Sequence, residues 1–506
     1  MPPKTAPIER TPAPPRVRGV KRPPLKRVFI GNFLDKGRRT RRRLKTNSDV
    51  SKFLVDQALR DLGGEPILGP NRETDEMISR MMASEINAAI HRQGSKSARN
   101  WYTGAIRRAI EVVGLMHPEI VDHDAARVAM PGVFDGSSDA RTVLFCAMAI
   151  TSQSVPVHEN MRYALEQYRY FLNKGRFEPK GYGVKGSSIR FNLKRFNQLL
   201  EIFDGRLDRL KGFLDAPFSM RELRAAGERN GMKIGGQEMA DEVVNGSIIF
   251  GPKIGAFYQN LRGNYSPLTM DLWFCRTWGR YTGTLVRDDV SPAQVERLVS
   301  TLSKDSLEFS RLMEAEGIKI DLDALDDAEN EELLALCRRI HKFWEVRRKA
   351  LVEAGFDNRQ CSLFKSMLGW PGASESIIKS LTGTVDAPTS GGQRRWMRNV
   401  MGRCIQILKR NGISMTVADA QAILWFPEKD LYDHLANRKG GSLTVSYDEA
   451  MSDIAREEGV PEAMVQQALH LATAAANDCP ENAIDDSVDM KEEVLEFDAA
   501  TNVRIG

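Results

Sequence analysis

From Ser48 onward, apolar positions recur every three to four residues, the pattern of helices that bury one face. Met77, Ile78, Met81, Met82 and the run from Ile86 to Ile90 form one stripe. Trp101 to Val113 and Leu193 to Phe203 form two more. Val143 to Tyr170 is equally periodic, but Pro156 predicts a break into two helices, because proline lacks a backbone donor and crowds the preceding turn. Pro292 to Glu316 opens well, with Ser291 as N-cap and Pro292 at the first helical position. Glu331 to Leu351, Arg394 to Lys409, Val417 to Leu435 (broken at Pro427) and Pro461 to Ala475 complete the set. Alternating runs are scarce, and Ser247 to Phe250 is too short to seed a sheet. Gly175, Gly181, Gly183 and Gly186 predict a loop over Lys174 to Ser188, and Val385 to Gln393 reads as a loop or linker. The expected class is all-α.

Composition narrows this. The 506 residues allow two to four domains, and 42% hydrophobic with 27% charged residues is a soluble, globular balance. No apolar run approaches the roughly 20 residues of a membrane span. The six cysteines lie far apart with no CxxC pair, so zinc-finger and iron–sulfur readings fail; no metal or cofactor is expected, and a reducing compartment is implied. The expected location is the cytoplasm, at the nucleoid or in a phage-infected bacterial cell, or the nucleus in a eukaryote.

The net charge of +5 hides an asymmetry. Met1 to Lys45 holds 15 Lys/Arg against Glu9 and Asp35, a local +13, which leaves −8 for the remainder. With eight prolines from Pro2 to Pro24, this arm cannot fold alone, and Arg41, Arg42 and Arg43 lie in a run suited to neutralising phosphates. At the other end, nine acids fall between Asp478 and Asp498 against Lys491. The expected organisation is a disordered basic arm (1–47), a helical domain (48–285), a helical accessory domain (286–477) and a disordered acidic tail (478–506).

The chemistry concentrates between Gly251 and Arg280. Phe250-Gly251-Pro252 predicts a tight turn feeding a helix, and amides at such a start form an anion site. Lys253 falls in the first helical turn, where the macrodipole disfavours a cation and so favours the amine as a nucleophile. After that helix and the turn Gly263 to Pro267, Asp271 opens the next. If the two helices pack as a hairpin, Lys253 and Asp271 share a cleft. The plainer reading is a surface lysine and a capping aspartate. Elsewhere, Lys180 to Arg190 offers cations and Tyr182 for nucleic acid, or is a plain loop. Gly181 to Gly186 has P-loop spacing, but Ser187-Ser188 stand where Lys-Ser/Thr is required. His117, Asp122, His123 and Asp124 offer metal ligands without a fixed geometry.

The segment resembles the helix-hairpin-helix DNA glycosylase superfamily, the group of endonuclease III and 8-oxoguanine DNA glycosylase. The endonuclease III pattern is a G-x-G-x-K hairpin, followed at a fixed interval after the lysine by the aspartate of V-D-x-H-x-x-R. Here Asp271 follows Lys253 at that same interval without a gap, and Arg276 and Arg280 stand at the family's offsets. Ala149-Ile150-Thr151-Ser152-Gln153 is similar to the family's L-L-S-x-Q motif, and Asn160 falls at its downstream asparagine. Ile249 replaces the first hairpin glycine, Met270 the valine, and Trp273 the histidine.

The resemblance implies a helix-hairpin-helix glycosylase-like fold, with Lys253 as Schiff-base nucleophile and Asp271 assisting base loss. It also implies DNA as partner, through sequence-independent backbone contacts and one flipped base. Gln153, Phe250, Gly251, Gly255, Arg276 and Lys185 would contact DNA, together with the arm arginines. Two other readings stay open. One is a phage-type enzyme of the same fold that processes modified thymines (α-glutamyl/putrescinyl thymine pyrophosphorylase-like). The other is a non-catalytic DNA-binding protein.

Overall fold

The computed structural model describes residue 44 and residues 46–93, 101–236, 238–304, 325, 328–436 and 445–478. Arg41, Arg42, Arg43 and the acidic tail beyond Asp478 lie outside the described residues. The described chain is all-α apart from one short ribbon. In order, the helices are α1 (Asn47–Leu62), α2 (Arg72–Gln93), α3 (Trp101–Met116), α4 (His123–Ala129), α5 (Ser137–Thr151) and α6 (Val157–Lys174). Then come α7 (Gly186–Ile202), α8 (Leu207–Asp215), α9 (Met220–Arg229), α10 (Pro252–Leu261), α11 (Leu272–Thr282) and α12 (Pro292–Lys304). The last are α13 (Asn330–Glu353), α14 (Asn358–Leu368), α15 (Trp370–Thr382), α16 (Gly391–Arg410), α17 (Val417–Leu435), α18 (Tyr447–Glu457) and α19 (Glu462–Asp478). The ribbon pairs β1 (Pro217–Ser219) antiparallel with β2 (Val243–Asn245), Phe218 opposite Val244.

Local chemistry explains many boundaries. Thr46, Ser219, Asp357 and Ser446 each build a capping box, in which side chain and backbone exchange hydrogen bonds three residues apart. Pro156 separates α5 from α6 as expected, whereas Pro427 does not break α17. The missing donor there is outweighed by burial of Leu424 before it and Leu431 and Tyr432 after it. Ser247 to Phe250 lies in a 3-10 turn, Gly246–Phe250, and not in a sheet. Among the described residues no helix is long and apolar enough to cross a membrane.

The chain divides into two compact units, each built from three separated segments. The first comprises Met1–Ala88, Leu272–Pro388 and Pro427–Gly440; the second comprises Ala89–Asp271, Thr389–Phe426 and Gly441–Gly506. The sequential boundary expected at residue 285 therefore falls inside the first unit. Leu285 is fully buried among Val50, Leu54, Leu431 and Leu435, and Val286 bridges to Thr384, so the chain cannot part there.

In the first unit, α12, α13 and α15 pack around Leu298, Leu302, Cys337, Ile340, Trp344, Trp370 and Ile377. The same unit buries a charge network. Arg280 donates both terminal nitrogens to Glu85, each at 2.8 Å, and its Nε to Glu428 at 2.9 Å. The Tyr281 hydroxyl adds a 2.6 Å bond to Glu85. In the second unit, α5 is buried almost all round and forms the axis, with α6 and α10 against it. The α18 helix packs on both α3 and α6.

Arg280→Met should destabilise the protein by about 3–5 kcal/mol, because Glu85 and Glu428 would stay buried without a counter-charge. Replacing all three residues with apolar side chains of similar volume should recover most of that loss in urea denaturation. A single-variant midpoint equal to wild type contradicts the network's role.

Candidate functional site

At the start of α10 the backbone is shaped by two glycines. Gly251 adopts φ 109° and ψ 152°, a region that L side chains rarely enter, and its N–H donates to Ile248 O at 2.7 Å. Pro252 follows at the first helical position, where a missing N–H costs nothing. No side chain caps this helix, and the space in front of Gly251 is open. Gly255 has a different task. A Cβ there would lie 2.6 Å from Ser247 O and 2.7 Å from the Ile248 backbone, so glycine lets α10 pack directly on the 3-10 turn. That makes it a packing residue. Phe250 is likewise buried by its side chain in the core, which leaves only its backbone for a ligand.

Lys253 is the second residue of α10 and is half-buried. Among the described residues its ammonium makes no hydrogen bond or ion pair. Asp271 immediately precedes α11, is partly exposed, and donates its N–H to Thr269 O at 2.8 Å. Phe257 lies one turn below Lys253 on the same face. Its ring is 6.2 Å from Tyr447, which meets Tyr102 edge-on at 6.1 Å. Burial pushes both tyrosine hydroxyls well up, and the negative charge of Asp271 pushes both further.

Tyr102 and Tyr447 were not singled out in the sequence, where Tyr102 is one more position in an apolar stripe. The start of α3 is pinned by its neighbour. Thr103 donates its N–H and its hydroxyl to Asp419, each at 3.1 Å. Burial pushes the Asp419 carboxyl up, against these bonds and one from Thr416.

Gln153 sits at the end of α5, where Ser154 takes the uncommon left-handed φ of 58°. Its Nε2 donates to Ile150 O at 3.0 Å, and its Oε1 accepts from the Ser188 hydroxyl at 2.7 Å. Gln153 is therefore tied to the first turn of α7. Asn160 is buried and donates to Met148 O and Thr151 Oγ1, tying α5 to α6.

At the start of α7, Lys185, Arg190 and Lys194 are exposed, whereas Lys180 pairs with Glu166 at 2.6 Å and the buried Arg195 donates to Ile249 O and Lys233 O. Val184 and Phe191, 89% and 55% exposed, complete this surface and were missed in the sequence. Nothing in their spacing separates them from core residues. Tyr182 turns the other way. It stacks on Tyr163 at 4.3 Å and accepts from Gln167 at 2.6 Å, so it offers no face to a base.

Arg276 belongs to the first unit. Its Nε donates to Asp386 at 3.1 Å, and its guanidinium lies 4.8 and 4.9 Å from the Trp273 and Tyr432 rings. With its side chain 6% exposed, it braces this unit and has no free face for a phosphate. His117 is likewise occupied, between Glu119 at 3.0 Å and the Arg169 Nε at 3.1 Å. Among the described residues no cluster of His, Cys, Asp or Glu could hold a metal ion. No family model, curated protein or solved structure matches this chain.

The two glycines should fail for different reasons. Gly255→Ala should cost about 1–3 kcal/mol through backbone overlap. Gly251→Ala should cost about 1–3 kcal/mol through strain alone, although nothing occupies the space beside it. Urea midpoints equal to wild type would contradict either assignment.

Proposed function

We propose that the chain is a DNA glycosylase of helix-hairpin-helix type with AP lyase activity. One observation carries the reading: Lys253, in the first turn of a glycine-started helix with no side-chain cap, makes no hydrogen bond or ion pair among the described residues. The resemblance around Lys253, Asp271 and Gln153 adds to it.

The chemistry follows from those groups. A nucleotide must leave the stack before its sugar can be attacked, at a cost of a few kcal/mol that is lowest for a damaged or mispaired base. Lys185, Arg190 and Lys194 neutralise phosphates, while Val184, Phe191 and Gln153 face the disturbed duplex. The open turn at Gly251, with the uncapped amides of Lys253 and Ile254, suits one backbone phosphate. Positive charge develops on the sugar as the C1′–N bond breaks, and the Asp271 carboxylate stabilises it. The lone pair of the Lys253 amine forms the new bond to C1′. The glycosidic electron pair leaves with the base, which takes a proton. Ring opening gives a protonated imine, and loss of a C2′ proton then expels the 3′-phosphate.

Borohydride reduction with abasic-site DNA should give a covalent adduct that Lys253→Ala abolishes, while Asp271→Asn should slow base release about a hundredfold. No adduct with DNA binding intact would overturn the lyase assignment. Removing residues 1–45 should weaken DNA binding and flatten its log–log salt dependence by about 0.9 per lost phosphate contact. An unchanged slope would contradict the role given to the arm.

A further inference from the structure

Within the second unit, three packed helices gather more positive charge than they neutralise. Gln259 of α10 donates to Leu214 O at 2.9 Å and to Asp215 Oδ1 at 3.3 Å, which stitches α10 to the end of α8. Helix α5 packs against both. Arg262, at the C-terminus of α10, reaches Asp215 Oδ2 through one terminal nitrogen at 3.2 Å. Its side chain is only 20% exposed, and its Nε is buried with no hydrogen-bond partner. Lys211, one turn before Asp215 on α8, donates to Ser138 Oγ at 3.3 Å and makes no ion pair among the described residues. Arg141, one turn after Ser138 on α5, is half-buried and makes neither a hydrogen bond nor an ion pair among the described residues. Burial pushes its guanidinium below the usual arginine range, and the charge of Arg262 pushes it lower, with the exposed Glu111 acting in the opposite sense. Half-buried cations brought together around a single carboxylate cost stability until an anion joins them.

We infer that Arg141, Lys211 and Arg262 form a binding site for one phosphate group. The guanidinium of Arg141 has all its donors idle, and its fork fits two oxygens of a phosphate. The ammonium of Lys211 adds a compact charge for a third oxygen, and the Nε of Arg262 adds one more donor. A carboxylate ligand would bring two oxygens and one charge, and would leave part of this set unsatisfied. The same phosphate chemistry is carried by a free phosphate and by a nucleic-acid backbone, and the test separates the two. The inference does not rest on the catalytic reading.

Titration calorimetry of the full chain with inorganic phosphate, at constant ionic strength in chloride, should show one saturable site. Arg141→Gln and Lys211→Gln should each weaken it about tenfold, the worth of a charge-assisted hydrogen bond. Arg176→Gln, at an exposed arginine of the same unit, should leave it unchanged. Urea denaturation tells a site from a brace. Excess phosphate should raise the midpoint of the wild type and not that of Arg141→Gln. Without phosphate, Arg141→Gln should be no less stable than the wild type, because it relieves like-charge crowding. If a nucleic acid supplies the group, Arg141→Gln also flattens the log–log salt dependence of DNA binding by about 0.9; if a free phosphate does, that slope stays as it is. No saturable phosphate binding, binding that survives both substitutions, or a loss of stability in phosphate-free Arg141→Gln would overturn the site.

Discussion

The account depends on one backbone constraint: the chain must turn at Gly251 and start a helix within two residues. The turn needs a φ that glycine alone adopts without strain, and the helix needs Gly255 to lie flat on the Ser247 carbonyl. Together they place Lys253 in a first turn with no cap, where the aligned peptide dipoles oppose a cation and welcome an anion. Chemistry that asks for an amine beside a phosphate begins from that geometry.

Around this turn the second unit supplies a frame. The buried α5 gives an axis, Asn160 locks its end to α6, and Ser188 ties Gln153 to α7. Phe257, Tyr447 and Tyr102 form a run of ring contacts beside α10, while Asp419 pins the start of α3. The first unit is organised by other forces. Arg280 is surrounded by Glu85 and Glu428, and Arg276, expected to contact DNA, is held by two aromatic rings and Asp386 as an internal brace.

Helices were legible because burial of one face writes itself at 3.6-residue spacing, and Ser291-Pro292 and Pro156 marked boundaries by covalent chemistry. Pro427 misled because a lost hydrogen bond is a local cost that burial on both sides of it can exceed. The turn at Gly251 and the place of Lys253 could be read from Gly-Pro-Lys alone. Tyr102, Tyr447 and Asp419 could not, since residues more than 300 positions apart meet only after folding. The division into units was equally hidden: each joins three segments, and no composition shift marks the cut before Leu272.

The central claim concerns which nitrogen does the chemistry. Proteolysis of the borohydride-reduced adduct, followed by peptide mass mapping, reads that atom directly. The account predicts the sugar remnant on the peptide that contains Lys253. A remnant on another lysine or on the terminal amine, or no adduct at all, would contradict it.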